Sequence, residues 1–226
     1  MSANTAIPVY QSVRSIGVIK PVFDSSINGF QPPTLQVYGT GFWVKEYRCF
    51  VTCAHVVDGV LKSSIEQAGM LVVGGNGHPY IRATVSIVDW LHDLAVLKIL
   101  DNKNSIEQQV LKDGLDIANA DPSVSEPIAY AGFPFGNQLL GATHLPTYSE
   151  GIVGKTIQHI GDKVVIQMTA PVVGGYSGSP VVLKASPNVV VGVVSRGPVD
   201  RGNTGNVIHA VHWQYIRDIC VLASRI

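Results

Sequence analysis

The sequence predicts an all-β protein of the barrel or sandwich class, closed by one C-terminal helix. Three observations lead there. Apolar runs of four to eight residues recur along the chain, they are rich in β-branched residues, and Gly, Pro, Asn or Asp separates one from the next. Roughly a dozen such runs with little helical periodicity between them fit a barrel or sandwich and not a series of βαβ units. The chain has 226 residues, 46% of them hydrophobic and 14% charged, which excludes an intrinsically disordered polymer and provides for a large core.

Taken in order, the strand signals run through Gly17–Lys20, Gly41–Val44, Cys49–Thr52, Met70–Val73, Ala83–Val88 and Leu94–Ile99 in the first half. They resume at Ile128–Ala131, Glu150–Val153, Lys163–Gln167, Pro180–Leu183 and Val189–Ser195. The stretch from Asp101 to Glu126 is polar and strand-poor, and reads as a connection between two β halves. The tail spaces Trp213, Ile216, Ile219, Cys220 and Ala223 at threes and fours, the period of an amphipathic helix. The expected organisation is therefore residues 1–105, a connection over 106–123, a second β half over 124–212 and a helix over 213–226.

Sixteen basic and sixteen acidic residues cancel, and no basic run exceeds two residues. No electrostatic basis for a nucleic-acid partner follows. No window approaches eighteen uninterrupted apolar residues, so no membrane span is expected. The first twenty residues lack the basic start and apolar stretch of a secretory signal. Cys49, Cys53 and Cys220 cannot all pair within one chain, which argues against a disulfide framework. The expected location is cytoplasmic. Neither these cysteines nor His78, His92, His144, His159 and His212 show metal-ligand spacing, so no metal and no cofactor is expected.

Three segments concentrate the unusual residues. His55 closes the apolar run Phe50–Ala54, Asp93 opens the run Leu94–Ile99, and Ser177 lies in the glycine-rich stretch Gly174–Ser179 just before an apolar strand. Each is ordinary alone, since histidines end strands, aspartates form turns and serines sit among glycines. Together, in the order His, Asp, Ser, they match a chemistry. A serine hydroxyl needs a base within hydrogen-bond reach, histidine titrates near neutrality, and a carboxylate holds the imidazole in its useful tautomer. Glycines beside the serine let the backbone aim amide N–H groups at a developing oxyanion. The α/β-hydrolase pattern fails twice, because there the serine precedes the acid and histidine, and because Ser179 stands where G-x-S-x-G needs its last glycine.

At these residues the sequence resembles the chymotrypsin-fold serine proteases, particularly their HtrA/Deg-like branch. Gly39–Phe42 with Val51–Val57 resembles that branch's histidine motif, and Asp93–Lys98 its aspartate motif. Ala131–Gly136 with Ser149–Val153 resembles the segment before the nucleophile, Gly175–Pro180 the nucleophile loop, and Gly192–Gly197 the substrate-binding strand. The resemblance runs from about Ser15 to Ser224. It implies two six-stranded antiparallel β-barrels with a C-terminal α-helix, and no PDZ domain is expected because the chain ends with that helix. It implies Ser177 as nucleophile, His55 as general base and acid, Asp93 as orienting carboxylate, and the backbone N–H groups of Gly175 and Ser177 as oxyanion hole. Ser195 falls where the family supports the aspartate, and Ser195, Arg196 and Gly197 where an extended substrate pairs.

The chain departs from the secreted branch in two ways. Tyr176 replaces the aspartate that receives a new N-terminus in digestive enzymes, and the cystine flanking the histidine is missing. By resemblance the specificity pocket is lined by Pro171 and Val172, faced by Ile208 and His209. Pro171 stands where trypsin-like enzymes hold an aspartate, so cleavage after Lys or Arg is not expected. A small or medium apolar residue is expected instead, with His209 as an alternative selector of an acidic or amide side chain. The implied activity is a serine endopeptidase acting on protein or peptide substrates, with a homo-oligomer as a partner state the family commonly uses. The alternative is a catalytically silent trypsin-like module that binds peptides or partners.

Overall fold

A computed structural model describes residues 8–24, 29–67, 70–100, 114–134, 144–160, 163–195 and 207–226. Six strands form the first barrel: β1 (Val13–Asp24), β2 (Gly29–Val44), β3 (Cys49–Thr52), β4 (Met70–Gly75), β5 (His78–Asp89) and β6 (Leu94–Ile99). They close in the order β1-β2-β3-β6-β5-β4, all antiparallel. β4 and β5 are joined by Asn76 and Gly77, the two-residue hairpin whose backbone twist matches that of its strands.

The second barrel uses β8 (Pro127–Gly132), β9 (Thr147–Ile160), β10 (Lys163–Thr169), β11 (Pro180–Leu183), β12 (Ser186–Val194) and β13 (Val207–His212). The sheet order is β11-β8-β9-β10-β13-β12, and pairing of β11 with β12 closes it into the second six-stranded barrel. The short β7 (Asp116–Ile117) adds to β12 in parallel, outside the ring. The expected two-barrel architecture is therefore what the chain adopts.

Strand alternation divides the apolar residues between two cores. On β8, Ile128 and Tyr130 turn into the second barrel, while Ala129 and Ala131 turn toward the cluster that fills the first. On β13, Ala210 and Val211 split in the same way. The larger cluster combines Ile16, Val18, Phe42, Phe50 and Leu97 of the first barrel with Val182, Val193 and Val211 of the second, so it spans both barrels.

The connection also ties the barrels. Leu115 N–H donates to Trp43 O at 2.9 Å, Lys45 N–H to Leu115 O at 3.1 Å, and Ala118 N–H to Val190 O at 2.9 Å. One extended segment is thus hydrogen-bonded to both barrels, while the rest of the expected connection, 106–113, lies outside the described residues.

The expected terminal helix is α3 (Trp213–Ala223), counted after α1 (Pro8–Ser12) and α2 (Ala54–Gln67). It buries the five residues of the periodic set, Trp213, Ile216, Ile219, Cys220 and Ala223. Its N-cap is His212, whose Nδ1 accepts from Gln214 N and whose Nε2 meets Asp121 Oδ1 at 2.7 Å. Asp121 also accepts from Trp213 Nε1. The helices α1 and α2 are additions to the sequence reading. The Val56–Val57 pair after His55 continues the β-branched composition of β3, yet Val56, Val57 and Val60 make one buried face of a helix. Among the described residues no helix is long and apolar enough to cross a membrane.

Candidate active site

Where β3 ends, the chain turns at Cys53 and enters α2, so His55 sits in the first turn of that helix. Asp93 closes the turn between β5 and β6 with φ of 56°, a left-handed conformation that aspartate tolerates better than most residues. Its carboxylate faces the start of α2. Oδ1 accepts the backbone N–H of His55 at 3.0 Å, and Nδ1 of the ring lies 2.8 Å from Oδ2. An ionised carboxylate only accepts, so Nδ1 carries the proton and Nε2 is left as the basic nitrogen. Ser195, at the end of β12, donates a short hydrogen bond to Asp93 Oδ2. Burial pushes the Asp93 carboxyl up, but the hydrogen bonds from His55 and Ser195 and the charge on His55 outweigh it and hold the group below its ordinary range.

Cys53 lies beneath this pair. It is fully buried, and its Sγ–H donates to Val194 O at 3.2 Å. Ligand atoms of Cys53, His55 and Asp93 lie within 4.8 Å of one another. Burial, and then the Asp93 charge, push the thiol well above its ordinary value. A metal ion would have to ionise that thiol and break the His55–Asp93 bond, so these groups fit each other better than they fit an ion.

The loop around Ser177 is held by the other barrel. Thr40 on β2 donates its backbone N–H to Ser177 O at 2.8 Å and its hydroxyl to Gly175 O at 2.8 Å, while the same hydroxyl accepts from Phe133 N at 3.1 Å. Gly178 N–H donates to Val194 O at 2.8 Å, and Ser179 N–H to Tyr176 O at 2.9 Å. The loop needs glycine at 178. Its φ is 87°, and a Cβ there would stand 1.9 Å from Thr40 O and 2.6 Å from Thr52 Oγ1. Gly39, next to Thr40, leaves no room between α2 and the loop, since a Cβ would meet Val56 at 2.6 Å and Ser177 O at 2.9 Å.

Gly175 takes φ of 100°. The backbone N–H groups of Gly175 and Ser177 have no acceptor among the described residues. Tyr176, buried, points the other way. Its hydroxyl pairs with Ser149 Oγ at 2.8 Å and its ring packs edge-on against Tyr130 at 5.1 Å between centroids. The Tyr130 hydroxyl donates a short hydrogen bond to Pro171 O. Burial raises both phenols, that of Tyr130 to about 12, so both remain neutral. The segment 171–177 is thereby anchored near both ends.

The structure thus brings His55, Asp93 and Ser195 into direct contact, and joins Ser177 and Gly175 to their neighbourhood through Thr40, Gly39 and Val194. Val172 and Ile208 each pack against the second-barrel core, and Pro171 is exposed. His209 does not join them. Alternation along β13 turns it to the face opposite Ile208 and Ala210, where both ring nitrogens are buried without a hydrogen-bond partner among the described residues and burial lowers its pKa. Arg196 and Gly197 lie outside the described residues. Sequence reasoning missed the parts of Thr40, Tyr130 and Ser149. Thr40, between two glycines, carries a usable signal, because glycines flanking one polar residue in a strand mark close backbone approach.

Residues 39–193, a span that includes His55, Asp93 and Ser177, match the family model described as trypsin-like peptidase domain. The chain belongs to that family. No curated protein sequence gives a significant match. Among solved structures, the protein described as HtrA-type protease AlgW with decapeptide superposes with a TM-score of 0.73 at 17% identity, over 99% of this chain and 68% of that one. The fold of this trypsin-like peptidase domain is accordingly the two-barrel fold of an HtrA-type protease domain.

Proposed function

We propose that this domain is a serine endopeptidase working through an acyl-enzyme. The observation that carries the reading is the His55–Asp93–Ser195 hydrogen-bond chain, joined across the barrels to a loop whose Gly175 and Ser177 amides have no acceptor of their own among the described residues. Ser177 Oγ attacks the carbonyl carbon of the scissile bond, and Nε2 of His55 takes its proton. Asp93 keeps Nδ1 protonated and stabilises the imidazolium. The oxyanion accepts from the N–H groups of Gly175 and Ser177, each donor worth about 3–4 kcal/mol in the transition state. His55 then returns the proton to the leaving amine, and water repeats the sequence on the acyl-enzyme. No free N-terminus is needed to brace the loop, because Tyr176 is already hydrogen-bonded to Ser149.

For substrate choice, Val172 and Ile208 in one apolar cluster support a small or medium apolar side chain at the cleaved position. The superposed HtrA-type protease is described together with a decapeptide, which supports an extended peptide as ligand here as well. Three free cysteines support a reducing compartment. Labelling with a fluorophosphonate probe tests the chemistry. The chain is expected to label and Ser177→Ala to lose labelling by about a thousandfold or more. Equal labelling of the two would remove Ser177 as nucleophile, and no labelling of either would remove the activity.

A further inference from the structure

Outside the site, two thiols that the proposed chemistry does not use lie against each other. Cys49 opens β3 in the first barrel, and Cys220 lies on α3, which follows the second. They are 171 positions apart in sequence, yet Cys49 Sγ–H points at Cys220 Sγ from 3.7 Å, and both side chains are buried in the shared apolar core. Two sulfurs in van der Waals contact need to approach by less than 2 Å to reach the roughly 2.05 Å bond of a disulfide. Both cysteines are free here.

We propose that Cys49 and Cys220 form a reversible disulfide, taking a small-molecule disulfide such as oxidised glutathione as oxidant. One cysteine thiolate attacks the glutathione disulfide, giving a protein–glutathione mixed disulfide and one glutathione thiolate. The second cysteine thiolate attacks the protein sulfur of that mixed disulfide and expels the other glutathione. Two protein thiols are oxidised, one glutathione disulfide is reduced to two thiols, and the protons released by the cysteines are those the glutathione thiolates take up.

The surroundings set the rate. The hydrogen bond from Cys49, with burial, pushes the Cys220 thiol far above its ordinary value, so the closed protein supplies little thiolate. Access comes from the surface on either side. Cys220 is one turn from the helix end at Ala223, beside exposed Leu222 and Ser224, and Cys49 follows the exposed Arg48. Opening of that last turn exposes the pair, and closing brings the sulfurs back together. The bond would fasten α3 to the first barrel by its far end, while the helix start is already held by Asp121. Cys53 is an internal control, since its partner is the Val194 carbonyl.

The test is to incubate the whole chain with oxidised glutathione and read non-reduced peptide masses together with the melting temperature. A Cys49–Cys220 cross-linked peptide is expected, with loss of two hydrogens from the intact mass. The melting temperature should rise by about 5–10 °C, and dithiothreitol should reverse both changes. Cys53→Ser keeps the cross-link, whereas Cys49→Ala and Cys220→Ala each abolish it. The wild-type mass measurement decides even if those variants fold poorly. A stable glutathione adduct without the cross-link, a cross-link through Cys53 or between chains, or an unchanged or lowered melting temperature would overturn the proposal. None of these readings depends on peptidase activity.

Discussion

In the first barrel the site is a histidine and a carboxylate in direct contact, whereas in the second it is a loop of backbone held in shape by its neighbours. His55 and Asp93 touch directly, Ser195 adds a third contact, and the aspartate receives a main-chain donor from the helix that carries the histidine. The loop around Ser177 offers two amides, and its shape depends on hydrogen bonds from Thr40 and to Val194. The two arrangements suit different tasks. A base must keep one tautomer and one direction, which a carboxylate enforces. An oxyanion site must present two N–H groups on one side, which a backbone bent through positive φ can do. Thr40 belongs to the first barrel but holds the second barrel's loop, so neither half of the site is complete in one barrel.

Substitutions at the loop should break this arrangement most severely. Gly178→Ala puts a methyl group into Thr40 O at a strained φ, and is expected to cost about 3–5 kcal/mol, read as a large drop in melting temperature. Gly174→Ala is the contrast, because a Cβ there meets nothing within 4 Å, and a change within about 1 kcal/mol is expected. If both substitutions cost the same, the loop is not held from β2.

Thr40→Val should come next. It keeps the shape but leaves Gly175 O and Phe133 N–H without their partner, at a cost of about 1–3 kcal/mol. Fluorophosphonate labelling should fall further than stability predicts if the hydroxyl orients the Gly175 peptide. Labelling that only follows the folded fraction would show that Thr40 braces the fold alone.

Ser195→Ala tests the hold on Asp93, which reaches the first barrel from the second. The folded-state pKa of Asp93 lies below its ordinary value, so its contribution to stability is present at neutral pH and is lost as pH falls through the folded value. Removing the Ser195 donor moves that carboxyl upward, and acid unfolding followed by circular dichroism should begin at a higher pH than in the wild type. An unchanged acid transition would mean that His55 alone holds the carboxylate.

His209 should give the smallest change. Its folded pKa lies below the ordinary 6.5, so the unfolded chain takes up more protons and stability declines as pH falls from about 6.5 toward the folded value. His209→Leu removes two unpartnered nitrogens and should flatten that decline, with a gain of about 1 kcal/mol near neutrality. Peptide-library profiling of the same variant addresses specificity, since His209 faces away from Ile208. A switch in the preferred residue would return it to the pocket.

Much of this was legible before folding. Every strand signal fell within an observed strand, apart from Ser195, which sits just beyond β12, because short β-branched runs bounded by turn formers have few alternatives. The helix α3 followed from its spacing alone. The helix α2 did not, because the valines that extend an apolar strand also line one helix face, and composition does not separate the two. The His55–Asp93 pair was visible through order and motif, and the same reading singled out Ser177. For Thr40 the flanking glycines mark a close backbone approach, but nothing in the sequence names the loop that lies across from it.

The amino-acid order by itself determined the strand set, the two halves, the terminal helix and the residue types on which the proposed function rests. These depend on local periodicity and turn chemistry, which act over a few residues. Closure of the barrels decided the rest. It set Ser195 on Asp93 from 102 positions away, Thr40 under Gly175 from 135, and Cys220 against Cys49 from 171. It also decided which face of β13 carries His209. Such contacts follow from strand register and from the shared core between barrels, where a shift of one residue exchanges every inward and outward side chain.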